Sequence, residues 1–267
     1  MQSESSLPQP PATPPAAAAD VALEREVTRR SRRAFLVGGL AALAGLGGWR
    51  WLLGQPEVMG VPGPLRASLE ANARVAATLL SPTQLAPEFP RSQARTPRAN
   101  GSVGLDQPLD TAAWRLRVEG FGGQPVREFS LAELQALPRT EMTTELKCIE
   151  GWSTVVTWAG VRLTDFLVRY PLATLPSAET APYVSLRTPD DAYYVGLDMA
   201  SALHPQTLLC YEMNGRPLLP EHGAPLRLIT PRKYGIKQLK RIGTLAFVAE
   251  RPADYWAARG YDWHASL

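Results

Sequence analysis

The sequence predicts a mixed α+β domain with a large sheet component. Several short segments alternate apolar and polar residues, as half-buried strands do. Only a few short helical patterns interrupt them, without the regular strand–helix–strand alternation of a parallel α/β sheet. Asn214 and Gly215 stand between two apolar runs, and this dipeptide favours the positive φ values that a tight β-hairpin requires.

The first predicted elements belong to a connector over residues 55–97. Apolar residues at helical spacing between Leu65 and Leu80 predict one amphipathic helix, and the prolines that follow keep the chain irregular. A domain over residues 98–267 comes next. It opens with an alternating strand at residues 114–119.

Two short helices and five further strands follow in this domain. Ser130 and Glu133 have the spacing of a capping box, so a helix should begin there and end before Pro138. A second helix is predicted over residues 163–170. Further strands are predicted at residues 183–187, 193–197, 208–213, 225–230 and 243–248.

The N-terminal 54 residues differ in composition from the rest. The chain of 267 residues has 25 prolines, and twelve of them precede Arg98. Residues 1–20 are rich in proline and alanine, which is typical of a disordered lead. Residues 1–54 also hold six arginines and four acidic residues, so only one of the three net positive charges belongs to the remaining chain. A nucleic-acid binder should carry its excess positive charge on the folded domain, so that class is excluded.

A basic segment followed by a short apolar run is typical of an export signal. The segment from Ser31 to Leu36, with Arg32 and Arg33 at its centre, resembles the twin-arginine signal. We therefore expect the twin-arginine export machinery as a partner, and a periplasmic location at the outer face of the cytoplasmic membrane. The run from Ala34 to Leu53 is long enough to span a bilayer, although Arg50 interrupts its far end, so an uncleaved anchor and a cleaved signal both remain open.

The chain has two cysteines, Cys148 and Cys210, and three histidines. This number is too small for cysteine-ligated iron–sulfur clusters or a zinc ribbon. Cys148 is followed by Glu150 and Trp152 where a strand ends, and an acidic side chain beside a buried thiol is unfavourable unless the site needs it. From residue types alone, an inert buried thiol, a Cys148–Cys210 disulfide and a functional cysteine all remain open.

Two long motifs narrow these alternatives. The first runs from Cys148 through Glu150, Trp152 and Trp158, and the second covers residues 214–240. Together they resemble the molybdenum-ligating and cofactor-binding segments of the sulfite oxidase superfamily. The most similar branch comprises the exported catalytic subunits of methionine-sulfoxide reductase systems. The resemblance covers roughly residues 97–250 and implies a sheet-rich, sulfite-oxidase-type molybdopterin-binding fold.

The resemblance also implies the site. Cys148 would ligate molybdenum, which prefers soft thiolate ligands, and Glu150 would face the reaction. Three of the four lysines fall within the second motif, where the family holds a phosphate-bearing pterin. The loop at residues 98–102 has the place of a further pterin-contacting loop, but its residues differ from the family pattern. The cofactor contacts implied by position are Thr188, His222, Arg227, Gln238, Leu239 and Lys240.

The implied activity is two-electron oxygen-atom transfer by a monomer that carries molybdenum–molybdopterin in its mononucleotide-free form. Since the chain has no motif for a second redox centre, we expect a membrane haem or quinone-linked electron-transfer partner. No arginine lies between Cys148 and Trp158, which favours a small-molecule or methionine-sulfoxide-type substrate over an anion such as sulfite. Two alternatives stay open: a sulfite-oxidase-like dehydrogenase, and a non-catalytic exported binding module with a Cys148–Cys210 disulfide.

Overall fold

The computed structural model describes residues 16–79 and 84–267. The start of the predicted lead, residues 1–15, lies outside these ranges, as does Leu80 of the predicted connector helix. The chain forms two compact units, of which one ends at Pro56 and the other spans Glu57–Leu267.

The first unit contains one long helix, α1 (Ala16–Leu53), which includes the paired arginines Arg32 and Arg33. The part from Leu23 to Leu53 contains an 18-residue window that is apolar enough to cross a membrane, with a mean hydropathy of 1.3. Its apolar side chains are exposed, and Phe35 has 81% of its surface accessible. Length and composition therefore fit either a membrane span or an export signal.

The second unit contains twelve strands and four helices among its described residues. In chain order these elements are β1 (Glu57–Val58), β2 (Val61–Pro62), α2 (Gly63–Leu79), β3 (Leu116–Glu119), β4 (Arg127–Phe129), α3 (Leu131–Gln135), β5 (Arg139–Lys147), β6 (Ser153–Arg162), α4 (Leu163–Arg169), β7 (Tyr183–Arg187), β8 (Tyr194–Asp198), α5 (Met199–Ala202), β9 (Leu208–Met213), β10 (Arg216–Pro217), β11 (Arg227–Ile229) and β12 (Thr244–Val248).

Two five-stranded sheets organise this unit. The first sheet has the order β10–β9–β6–β5, with β11 also paired to β9. All of its strand pairs are antiparallel. The second sheet has the order β4–β3–β12–β7–β8, and only its β3–β12 pair is parallel. A small hairpin of β1 and β2 precedes α2.

The core follows from the alternation of side chains along β9. Leu209 and Tyr211 point into the main hydrophobic cluster, which also takes side chains from the second sheet. Leu208 and Cys210 point to the opposite face, where a smaller cluster contains Trp158 and Ile229. Because successive side chains of a strand face opposite sides, the first sheet is covered on both faces. Because both faces of the first sheet are packed, the turns at the ends of its strands are held in place.

The predicted elements are largely confirmed. Ser130 and Glu133 form both hydrogen bonds of the capping box at the start of α3. Asn214 and Gly215 have φ values of 53° and 77° in the turn between β9 and β10, so the predicted hairpin is correct. The sequence did not define β5 and β6, which form the longest hairpin. The predicted mixed, sheet-rich α+β class is correct.

We predict that Gly160→Ala destabilises the second unit. A Cβ at Gly160 would collide with the backbone carbonyl of Leu209 and lie 2.6 Å from the Cα of Cys210, at the irregularity in the β6–β9 pairing. Crowding of this kind lowers the free energy of unfolding by about 1–3 kcal/mol, which urea denaturation would measure. The control is Gly47→Ala in α1, where an added Cβ meets no atom within 4 Å. Equal stability of the Gly160 variant and the wild type would contradict this packing.

Candidate active site

Cys148 lies in the tight turn that joins β5 to β6. The last strand pair of this hairpin is Lys147 with Ser153. The Cys148 amide then donates to the Trp152 carbonyl at 2.9 Å, and the Gly151 amide donates to the Cys148 carbonyl at 3.1 Å. The long paired hairpin therefore holds the thiol at one end of the first sheet.

The half-buried Cys148 thiol opens into a cavity of about 260 Å³. Five separate parts of the chain form its walls. They are the loop at residues 97–103, the β5–β6 turn, Tyr193, the segment at residues 222–240, and the C-terminal residues Trp256 and Tyr261.

Six of the eight predicted site residues line this cavity: Cys148, Glu150, His222, Arg227, Gln238 and Lys240. The other two do not reach it. The Thr188 hydroxyl donates to Asp190 at 2.6 Å, and its side chain packs against Gly104. The Leu239 side chain is fully buried in the main hydrophobic cluster. Neither is brought into the candidate site by this structure.

Arg227 supplies a buried positive charge to the cavity. Its side chain is 3% exposed and stacks over the Trp158 ring at 4.8 Å. It donates to two backbone carbonyls, those of His222 and Gln238, while its Nε has no hydrogen-bond partner among the described residues. Burial lowers the pKa of the guanidinium to about 10. A buried cation without a carboxylate partner is unfavourable, so this end of the cavity favours an anionic ligand.

Lys240 adds a second positive charge at the same end. Its Nζ donates to the carbonyls of Asn100 at 2.7 Å and Glu221 at 2.9 Å. Burial and the nearby charge of Arg227 lower the pKa of Lys240 to about 8. Burial and the same two cations also lower the pKa of His222, which keeps its ring neutral near pH 7. The ring can therefore donate one hydrogen bond to a ligand.

Glu150 lies at the exposed edge of the cavity. Its carboxylate accepts hydrogen bonds from Arg98 at 2.6 Å and from the Trp152 indole at 3.0 Å, and the Arg98 guanidinium stacks over the same indole at 4.7 Å. Hydrogen bonds from Trp152 and Asn100, together with the Arg98 charge, lower the pKa of Glu150. The carboxylate and the guanidinium thus neutralise each other beside Cys148.

The loop at residues 98–102 contributes more than its sequence indicated. The Asn100 amide lies 3.7 Å from the Cys148 sulfur, and the Asn100 carbonyl receives Lys240. Sequence reasoning placed this loop near the site by its position but could not assign its residues, because their identities differ from the family pattern. Tyr193, Trp256 and Tyr261 were missed, since nothing in their local sequence distinguishes them from core aromatics.

Two of the three clustered lysines do not face the cavity, which corrects the interpretation that all three hold a phosphate. Lys237 is fully buried and donates to Asp254 at 2.6 Å and to the Gly196 carbonyl at 2.8 Å. Lys233 donates to the His264 carbonyl at 2.9 Å. Both serve the fold by holding the C-terminal segment, and only Lys240 is available to a ligand.

The alternative of a Cys148–Cys210 disulfide is wrong, since both cysteines are free. Cys148 follows Lys147, which pairs with Ser153 at one end of β6, whereas Cys210 pairs with Gly160 near the other end. At about 3.3 Å per residue these positions are roughly 20 Å apart, well beyond the span of a disulfide. Cys210 is fully buried, and burial raises the pKa of its thiol to about 12.

The fold and this cavity define a molybdopterin-dependent oxidoreductase of the sulfite oxidase superfamily. The family described as the oxidoreductase molybdopterin binding domain matches residues 104–256, and the chain belongs to it. A protein of Azospira oryzae, provisionally named as a protein-methionine-sulfoxide reductase subunit, is 37% identical over 87% of both chains. The protein-methionine-sulfoxide reductase catalytic subunit of Burkholderia mallei is 32% identical over 87% of this chain and 73% of its own. The protein-methionine-sulfoxide reductase catalytic subunit of Xanthomonas campestris is 36% identical over 55% of this chain and 49% of its own.

The described residues fit the molybdenum cofactor of this family. The Cys148 thiol offers the soft ligand that molybdenum requires. Arg227 and Lys240 offer a planar fork and a point charge to the phosphate of the pterin, and the Nε of Arg227, which has no partner among the described residues, is a donor that a ligand can satisfy. The buried Gln238 side-chain oxygen also has no partner among these residues and can accept a pterin N–H.

We predict opposite roles for two neighbouring lysines. Lys237→Met leaves the Asp254 carboxylate buried without a counter-charge, which should lower the free energy of unfolding by about 3–5 kcal/mol. Lys240→Met removes hydrogen bonds at a partly exposed position and should lower it by about 1–2 kcal/mol. Urea denaturation of cofactor-free protein measures both. A larger loss for Lys240→Met than for Lys237→Met would overturn the assignment.

Proposed function

We propose that this protein is an exported reductase of S-oxides that uses molybdenum–molybdopterin in its mononucleotide-free form. The proposal rests on one observation: the half-buried thiol of Cys148 shares its cavity with the buried Arg227 and the half-buried Lys240, and neither cation forms an ion pair with a carboxylate among the described residues. Cys148 would ligate the metal, and His222, Arg227, Gln238 and Lys240 would hold the pterin and its phosphate. When bound, this cofactor supplies two-electron oxygen-atom transfer.

The chain's own residues support a neutral substrate. A site for an anion such as sulfite needs an unpaired cation at the open edge of the cavity. The cysteine motif contains no arginine, but Arg98 from the loop at residues 98–102 reaches this edge. The charge of Arg98 is paired with that of Glu150. The remaining cations of the cavity, the buried Arg227 and the half-buried Lys240, lie at the end proposed for the phosphate. A sulfoxide oxygen can instead accept a hydrogen bond from donors at the edge.

We extend the proposal to methionine-sulfoxide-type substrates because all three of the relatives described above carry that activity in their names. The length and apolar character of α1, with Arg32 and Arg33 inside it, support export by the twin-arginine route and a periplasmic location. A membrane haem or quinone-linked protein would supply the electrons, and the enzyme would act as a monomer. Within this organisation residues 1–54 direct export, residues 55–97 connect, and residues 98–267 form the catalytic domain.

The deciding assay compares reduction of sulfoxides and N-oxides, with a reduced dye as donor, against oxidation of sulfite with an oxidised dye. We expect turnover of sulfoxides, methionine sulfoxide among them. Turnover of sulfite alone would favour the sulfite-oxidase-like alternative. Purified exported protein without molybdenum or pterin would instead favour a non-catalytic binding module.

We predict that Cys148→Ser abolishes sulfoxide reduction and removes the sulfur ligand of the metal. A serine oxygen is a harder and less polarisable ligand than a thiolate, so metal retention should fall as well. Elemental analysis for molybdenum per chain, with the dye assay, measures both effects. Cys210→Ser is the matched control, because Cys210 is fully buried in the sheet and does not line the cavity. Full activity of the Cys148 variant would show that another residue ligates the metal.

We also predict that cofactor retention weakens at alkaline pH. The pKa of Lys240 is about 8 without a bound anion, and a bound phosphate must raise it. Retention is therefore strongest below pH 8 and declines as the pH rises through and above 8. Molybdenum release near pH 7 and near pH 9 would test this, because Arg227, whose pKa is about 10, keeps most of its charge over that range. Lys240→Arg is the control, since arginine keeps its charge over this range. Equal pH dependence of the variant and the wild type would contradict the role of Lys240.

A further inference from the structure

The mouth of the cavity has an aromatic wall made by Trp256 and Tyr261. Their rings meet edge to face with centroids 5.0 Å apart. Tyr261 is 41% exposed, whereas Arg227, which lines the same cavity, is 3% exposed. Arg227 is therefore deep, and the aromatic wall lies nearer to solvent, from which a substrate arrives. Aromatic rings make favourable contacts with sulfur-containing side chains, which suits a thioether oxide.

This wall lies on an irregular segment with little secondary structure of its own. The segment from Asp254 to Tyr261 contains one short turn of 3₁₀ helix at Ala257–Arg259. From one side, the Asp254 carboxylate accepts the amides of Trp256 at 3.1 Å and Ala257 at 3.0 Å, and Lys237 fixes this carboxylate. Backbone carbonyl groups of the same segment are supported separately, by hydrogen bonds from a second side chain.

Arg66 of α2 provides that support. Its guanidinium is 4% exposed and donates to the Tyr261 carbonyl at 2.8 Å and to the Ala257 carbonyl at 2.8 Å. It also donates to the carbonyls of Val58 at 3.4 Å and Met59 at 2.7 Å in the β1–β2 hairpin. The Arg66 guanidinium therefore links the β1–β2 hairpin to both ends of the turn that carries the aromatic wall.

The packing around Arg66 leaves little room for the segment to shift. The backbone of Gly60 lies so close to Ala258 that an added Cβ would be 2.5 Å from the Ala258 carbonyl oxygen. Gly260 lies against Val61 in the same way, where an added Cβ would be 3.0 Å from a methyl carbon. The hairpin, α2 and the C-terminal segment thus form one packed unit at the mouth of the cavity.

We infer that Arg66 is a positioning residue that holds the aromatic wall formed by Trp256 and Tyr261 in place for the oxide substrate. The inference rests on the proposed function for the identity of the substrate, but not for the positioning itself. It assigns a role in the site to residues 57–66, which the sequence indicated only as a connector. Arg66 acts through the backbone of the wall and does not touch the reacting atoms.

Hydrogen–deuterium exchange of the full-length, molybdenum-loaded protein tests the positioning. In Arg66→Ala, amides of residues 255–262 should exchange about tenfold faster, because hydrogen bonds to a charged group are lost. Amides of residues 227–240 at the phosphate end should not change. Arg66→Lys keeps the charge but lacks the planar fork, so its exchange should fall between Arg66→Ala and the wild type. Arg162→Ala, an exposed arginine at the far end of β6, is the matched control.

Kinetics with a sulfoxide and a dye donor form the second arm. Arg66→Ala should lower kcat/KM about tenfold, mainly through KM, with molybdenum per chain unchanged. Unchanged exchange at residues 255–262 in both Arg66 variants would overturn the inference, as would faster exchange with unaltered kinetics. If the wild type reduced no oxide, the proposed function would fail, and the exchange arm would still decide whether Arg66 positions the wall. If Arg66→Ala failed to fold, Arg66→Lys would decide in both arms.

Discussion

The buried guanidinium of Arg227 is the constraint on which the candidate site depends. A permanent charge inside a protein requires a counter-charge or a dense set of acceptors. Arg227 has only two backbone carbonyls and the face of an indole, while Lys240 adds a like charge to the same end of the cavity. The protein tolerates this arrangement because the sheet fixes Arg227, which pairs with Cys210 across β9 and β11. The fold thus holds two cations that repel each other, and an anionic ligand bound between them would neutralise both charges.

The same logic separates the charges that serve the ligand from those that serve the fold. Lys237, Lys233 and Arg66 are as buried as Arg227, but each has its acceptors within the protein. Sequence spacing alone could not make this distinction. Lys233, Lys237 and Lys240 lie only three or four residues apart in the sequence. Which of them faces the cavity depends on the packing around each side chain.

The sequence predicted those features that depend on local chemistry. The capping box of α3, the Asn214–Gly215 hairpin and the strand at residues 183–187 each follow from a few neighbouring residues. The site motifs name Cys148, Glu150, His222, Arg227, Gln238 and Lys240, and these six residues line one cavity. Local patterns could not define the β5–β6 hairpin, because its two buried faces remove the alternation of apolar and polar residues. Local patterns also could not show that Asn100 and Trp256, which are far apart in the sequence, both line this cavity.

The contrast between the two cysteines has a practical consequence. Cys210 is sealed inside the sheet, and its thiol resists ionisation, so alkylating reagents should ignore it in the native state. Cys148 opens into the cavity and becomes unavailable once a metal occupies its sulfur. A native thiol titration therefore doubles as a gauge of cofactor loading, running from one equivalent per empty chain to none per filled chain. Unlike an elemental analysis, it would not count molybdenum that is present in a sample but bound elsewhere.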